Sequence, residues 1–156
     1  MGSSLAGAFA SREALLEAAL ARFEANGLSV LARSGWWSSA AWPDPTAPAF
    51  LNGVALVATA VSPAETLAAL HAIERDFGRA RGEANAARTL DLDLIAHGRA
   101  VIDQPGLTLP HPRAHERLFV MGPLAEIAPD WRHPVNGETA ATLSANATVG
   151  EDAAPA

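Results

Sequence analysis

Asp91 and Asp93 alternate with Leu90, Leu92 and Leu94 in the stretch Arg88-Thr89-Leu90-Asp91-Leu92-Asp93-Leu94-Ile95. Strict alternation is the period of a half-buried strand, with the leucines on one face and the carboxylates on the other. Aspartate is disfavoured in strands, and two like charges on one face repel. At strand rise their α-carbons would be only about 6.6 Å apart. A divalent cation would neutralise the pair, and Arg88 would hold an anion beside it. Carboxylates, cation and arginine together suit a phosphate-bearing ligand. The same octet also reads as an antiparallel strand with one solvated face, and these eight residues alone leave the two readings level.

The rest of the chain narrows the ligand class. With 156 residues it fits one domain with a real core. Seventeen acidic residues against 11 basic give a formal net charge of -6, which argues against a general nucleic-acid binder. Charge is nevertheless concentrated locally, with Arg75, Arg79, Arg81 and Arg88 close in sequence. Cysteine is absent, which removes disulfide and thiolate chemistry. No apolar run is long enough to span a membrane, and the start lacks the pattern of a signal peptide. The expectation is a cytoplasmic protein with small-molecule substrates, a monomer without nucleic-acid or membrane partners.

Positioning these residues requires a set of elements. Residues 11–26 read as a helix with an apolar stripe of Leu15, Leu16, Ala19, Leu20 and Phe23, capped by Ser11 and stopped by Gly27. Residues 28–37 and 50–61 read as strands, the second apolar enough for a central position. Between them lies a loop punctuated by Pro43, Pro45 and Pro48. Ser62-Pro63-Ala64-Glu65 is a capping box that opens a helix ending at Gly78. Residues 79–87 form a loop, 89–97 the aspartate-bearing strand, and 118–127 a helical region interrupted at Pro123. A single domain over 1–144 is expected, with a small, Ala-rich, disordered tail over 145–156. The order helix, strand, strand, helix, strand lacks one leading strand of a βαββαβ unit. The fold class expected is α+β, a ferredoxin-like antiparallel sheet with helices packed on it and its first strand missing or truncated.

Several motifs, in order and at matching spacing, carry a family resemblance. They are Gly2-Ser3-Ser4-Leu5, Phe50-Leu51-Asn52-Gly53, Ile73-Glu74-Arg75-Asp76-Phe77-Gly78-Arg79, Asn85-Ala86-Ala87-Arg88-Thr89-Leu90-Asp91-Leu92-Asp93-Leu94-Ile95, Leu109-Pro110-His111-Pro112-Arg113-Ala114-His115-Glu116-Arg117 and Pro123-Leu124-Ala125-Glu126-Ile127-Ala128-Pro129. Together they resemble 6-hydroxymethyl-7,8-dihydropterin pyrophosphokinase, over roughly residues 2 to 135. The resemblance implies transfer of pyrophosphate from ATP to the pterin hydroxymethyl oxygen, with release of AMP, in folate biosynthesis. It also implies two magnesium ions on Asp91 and Asp93, and phosphate contacts from Arg88, His111 and Arg117. Arg79 and Arg81 would lie on a loop that closes over the nucleotide. Arg79, Arg88, Asp91 and Asp93 form the implied catalytic set; Glu74 and Thr108 match further nucleotide-side positions, and His71 stands at another, where a glutamine is common. On the pterin side, Phe50 and Phe119 would sandwich the ring and Asn52 would both donate to it and accept from it. Ser39, Ala40 and Trp42 match a loop whose backbone reads the pterin edge.

Two departures stand out. Ala84-Asn85-Ala86-Ala87 replaces the Arg-Trp-Gly-Pro common before the signature arginine. Ser38-Ser39-Ala40-Ala41 replaces Arg-Thr-Pro-Pro, so the pterin-side loop loses two stiffening prolines. They keep open a degenerate homologue that binds nucleotide or pterin without turnover. A non-enzymatic ferredoxin-like interaction module is the other alternative.

Overall fold

The computed structural model describes residues 1–41, 44–78 and 89–156. Its elements are β1 (Gly2–Ser3), α1 (Arg12–Leu20), β2 (Ser29–Arg33), β3 (Trp37–Ser39), β4 (Phe50–Asn52), β5 (Ala55–Ala58), α2 (Pro63–Asp76), β6 (Ile102–Gln104), β7 (Leu107–Leu109), α3 (Leu118–Ile127), α4 (Ala140–Ala145) and β8 (Ala154–Pro155). The strand pairs are antiparallel, so the architecture is α+β. One sheet has the order β1-β4-β3-β8; β2-β5 and β6-β7 are two-stranded ribbons.

Local signals set the helices. Ser11 caps α1 by accepting from Ala14 N, but the α-helix stops at Leu20, and Glu24–Asn26 is a separate 3-10 turn ended by Gly27 at φ 76. The capping box at Ser62 and Glu65 is complete, and Gly78 follows α2 at φ 81. α3 continues through Pro123, where the sequence led one to expect an interruption. A proline in a helix removes one backbone hydrogen bond. Buried Met121, Pro123 and Leu124 hold this helix together by packing instead.

Each long strand expected from the sequence is broken into two. Residues 28–37 divide into β2 and β3, and 50–61 into β4 and β5. The corner is a polar clasp: Ser34 N donates to Val54 O at 2.9 Å, and Val54 N donates to Ser34 Oγ at 3.0 Å. Gly53 lets the backbone pass the Trp36 ring, where a β-carbon would lie 2.6 Å from the indole. Of the aspartate-bearing segment, only Asp91 makes a ladder pair, with Gly2; the described residues beyond it are not strand. The β6-β7 hairpin is absent from the sequence reading.

Leu15, Leu16, Ala19, Phe23, Leu28, Leu51, Leu70, Ile73, Leu90 and Leu92 form the main core between the helices and one face of the sheet. The alternation read from the sequence therefore holds: Leu90 and Leu92 are buried while Asp93 is exposed. A second core joins α3 and α4 through Met121, Leu124, Ala140 and Leu143. The segment 145–156, whose composition suggests disorder, begins with the last residue of α4 and then runs along the protein: Thr148 N and Val149 N donate to Glu116 O, and β8 pairs with β3. A groove of about 770 Å³ separates β5 from residues 92–99, and Met1 stands in its wall.

Candidate active site

The sheet register creates the site. Asp91 pairs with Gly2, Gly2 with Asn52, Asn52 with Trp37, and Trp37 with Pro155, in one row across the sheet. Directly paired residues share a face, as do residues two apart on one strand. Asp91, Asn52, Phe50, Trp37 and Ser39 thus belong to one face and Leu51 to the other, while next to the Asp91 bridge Leu90 and Leu92 are buried and Asp93 is exposed. Asp91 and Asn52 are two strand spacings apart, about 10 Å. Between them stands Gly2, which contributes no side chain. A β-carbon at Gly2 would lie 2.8 Å from Asn52 Oδ1. Glycine at position 2 therefore keeps the space between carboxylate and amide clear.

At the carboxylate end, Glu74 reaches from α2 and accepts the Leu92 N–H at 2.7 Å. Both groups are buried, Glu74 with 4% and Leu92 with 3% of its surface exposed. This bond fixes the residue between the two aspartates. His71 lies one turn earlier on α2, half-buried. His111 follows the cis Leu109-Pro110 bond and donates its N–H to Ile95 O at 2.8 Å, which ties it to the aspartate-bearing segment. Burial pushes the His111 imidazole below its ordinary pKa, against the pull of Asp93 and with the repulsion of Arg117. Its Nδ1 accepts from Arg113 N at 3.2 Å, so the neutral ring carries its proton on Nε2. Arg117 precedes α3, and its pKa is lowered by burial and by Arg113, against Asp93 and Asp91. Asp91, Asp93, His111 and Arg117 are thus close enough to act on one another's charge. The Met1 amine also feels Asp93, Asp91 and Glu74; burial lowers its pKa, and it donates to Gly53 O at 2.9 Å.

At the other end, Asn52 Nδ2 donates to Ser39 Oγ at 3.0 Å, with both side chains buried. Oδ1 and the second amide hydrogen stay available for a ligand. Phe50 pairs with Ser39 and is half-buried. Phe119 lies in the first turn of α3, its ring 5.7 Å from the Arg117 guanidinium carbon. Trp37 is held by Glu126, which accepts its Nε1–H at 2.6 Å and Gly35 N at 2.9 Å. Ala40 is exposed and donates its N–H to Asp152. Thr108 is exposed on β7 between buried Leu107 and Leu109.

The structure thus brings Asp91, Asp93, His111 and Arg117 to one end, and Ser39, Phe50 and Asn52 to the other. Arg79, Arg81, Arg88 and Trp42 lie outside the described residues. The spacing role of Gly2 and the anchoring roles of Glu126 and Asp152 were not read from the sequence. Gly2 and Glu126 stand inside motifs already recognised, whereas no sequence signal marks Asp152 in its Ala-rich surroundings.

Residues 1–129 match the family profile described as 7,8-dihydro-6-hydroxymethylpterin-pyrophosphokinase (HPPK). The chain is 47% identical over 113 residues to the 2-amino-4-hydroxy-6-hydroxymethyldihydropteridine pyrophosphokinase of Synechocystis sp., a match covering 72% of this chain and 57% of that protein. It is 45% identical over 95 residues to the enzyme of the same name from Pseudomonas aeruginosa, covering 58% and 59%. It is 37% identical over 119 residues to folic acid synthesis protein fol1 of Pneumocystis carinii, covering 76% of this chain and 16% of that one. The chain spans less than two thirds of the length of each of these three relatives.

Proposed function

The chain belongs to the 7,8-dihydro-6-hydroxymethylpterin-pyrophosphokinase family, and we propose that it transfers pyrophosphate from ATP to the hydroxymethyl oxygen of 6-hydroxymethyl-7,8-dihydropterin, releasing AMP. One observation carries this reading: a carboxylate and a buried amide lie in one row on one sheet face, separated only by Gly2. Asn52 offers the donor and acceptor that a pterin amide edge requires, and Phe50 and Phe119 offer ring faces for stacking. About 10 Å away, Asp91 and Asp93 face the phosphates.

Magnesium fits the donor set. Among the described residues no group of three or more His, Cys, Asp or Glu could hold a metal ion. Two carboxylates completed by water and phosphate oxygens is the habit of magnesium rather than of a metal that needs a full protein cage. Bound there, two ions would neutralise phosphate charge and acidify the attacking hydroxyl. The protein's own groups bind and orient. Neutral His111 donates from Nε2 to a phosphate oxygen, and Arg117 supplies fixed positive charge. Glu74 keeps the backbone between the aspartates from shifting. Arg79, Arg81 and Arg88 would complete the phosphate clamp, His71 and Thr108 the nucleotide side, and Ser39, Ala40 and Trp42 the pterin edge. Such a reaction rests on positioning and charge neutralisation, with little covalent work for the protein.

The ferredoxin-like topology belongs to the same proposal. An extended segment entering ahead of Gly2 between β5 and residues 92–99 would fill the groove. The groove also favours a second reading, in which the chain as it stands binds ligand without turnover. AMP release from ATP in magnesium buffer, with and without the hydroxymethyl-dihydropterin, decides. Pterin-dependent AMP supports the transferase; its absence from a cooperatively folded sample leaves the binding-only reading.

A further inference from the structure

The C-terminal segment crosses the molecule from the phosphate end of the site to the pterin end. It starts at Glu116, whose carbonyl accepts Thr148 N and Val149 N at 3.0 and 2.9 Å, while Leu118 N donates to Val149 O at 2.8 Å. These bonds attach it to Arg117 and to the first turn of α3. Gly150 then passes the Phe119 ring at close range. Its φ of +69 is a left-handed conformation, and a β-carbon there would lie 2.5 Å from Phe119 Cδ1. Asp152 follows, and its Oδ2 accepts the N–H of Ala40. The chain ends as β8 beside β3, with Ala156 N donating to Trp36 O at 2.8 Å.

Both walls of the pterin pocket therefore rest on one strap, Phe119 on Gly150 and Ser39-Ala40 on Asp152. Ala40 stands where the family resemblance leads one to expect a proline. A proline carries no N–H and holds φ fixed. Here the N–H is present, the residue is exposed, and a carboxylate from over a hundred residues away takes it up. Charge-assisted bonds of this kind are stronger than neutral ones and orient the donor.

We propose that Asp152 is a positioning residue, through which the C-terminal strap fixes the Ser39-Ala40 wall against Phe119 in the geometry the reduced pterin requires. Asp152 acts through the backbone of Ala40 and does not touch the reacting atoms. The inference rests on the pterin assignment proposed above.

The test is steady-state kinetics on the full chain with Asp152→Ala, Asp152→Asn and Gly150→Ala, alongside amide hydrogen exchange at Ala40 without ligand. Loss of one such bond is expected to raise the pterin KM about 3–10-fold in Asp152→Ala, with kcat and the ATP KM within about twofold. Asp152→Asn keeps an acceptor oxygen and should restore most of the pterin KM. Gly150→Ala should raise the pterin KM by displacing Phe119. Ala40 should exchange faster in Asp152→Ala alone. An unchanged pterin KM in Asp152→Ala overturns the proposal, as does an equal rise for ATP. A lower pterin KM would also overturn it, making the strap a competitor for the pocket. If the unmodified chain shows no pterin-dependent AMP release, the transferase reading itself falls; an active parent with an indifferent Asp152→Ala variant sinks only this inference.

Discussion

Glu74 lends itself to a quantitative test, because a structural anchor and a nucleotide contact predict opposite behaviour in the absence of ligand. Its Oε1 accepts the buried Leu92 N–H at 2.7 Å. Glu74→Ala removes the acceptor and strands the donor. A hydrogen bond to a charged group contributes about 1.5–3 kcal/mol, and an orphaned buried donor costs about 1–3 kcal/mol; these overlap, so about 3 kcal/mol is a central figure. For a chain of 150 or more residues, each kcal/mol shifts the melting temperature by about 2–4 °C, giving a loss of about 6–12 °C. Glu74→Gln keeps an acceptor oxygen in place and should lose only about 2–4 °C on the same scale. Differential scanning calorimetry of ligand-free protein at neutral pH measures both. Since Leu92 stands between Asp91 and Asp93, Glu74→Ala should also weaken magnesium-ATP binding, which titration calorimetry reads. A ligand-free melting temperature within 2 °C of the parent would refute the anchoring argument, and so would equal losses in the two variants.

Asp93 is exposed, so Asp93→Ala should leave melting unchanged yet lower AMP release by about 10² or more; near-normal turnover would refute the metal assignment. Gly2→Val places carbon against Asn52 Oδ1 and should raise the pterin KM with little change in the ATP KM; the reverse pattern would refute the row geometry. Burial holds His133 below its usual value of 6.5, with repulsion from His115 as the next cause. The unfolded chain therefore binds this proton first as pH falls, and the stability from the neutral ring, full above 6.5, drains away below it. His111 acts in the same direction. The melting temperature should fall from pH 7 to 5, less steeply in His133→Asn; identical slopes would exclude His133 as a cause. Finally, a form carrying about six apolar, β-prone residues before Met1 should melt higher and protect the amides of β5 and residues 92–97. An extension that leaves both edges exchanging freely would show that the groove does not take a strand.

What the sequence made legible and what it hid divide along physical lines. Asp91 and Asp93 could be placed on one face because alternation is local, and burial of Leu90 and Leu92 alone settles which side faces water. The caps at Ser11 and Ser62 were legible because a side chain and a backbone N–H three residues on need no tertiary partner. Strand ends were not. The corner at Ser34 and Val54 depends on bonds between residues twenty apart, and neither partner alone signals a break. The hardest case is the tail, whose composition offers no hydrophobic burial that would overcome chain entropy. It docks through backbone hydrogen bonds to Glu116 and Trp36 and through one carboxylate on Ala40. Backbone pairing is almost blind to side-chain identity, so no compositional rule could foresee it. That same blindness bears on the groove between β5 and residues 92–99, because a backbone segment pairing there would leave no side-chain signature in the sequence. Element order, which counts backbone partners where composition does not, is what raised the expectation of a further strand there, and the extended form described above tests it.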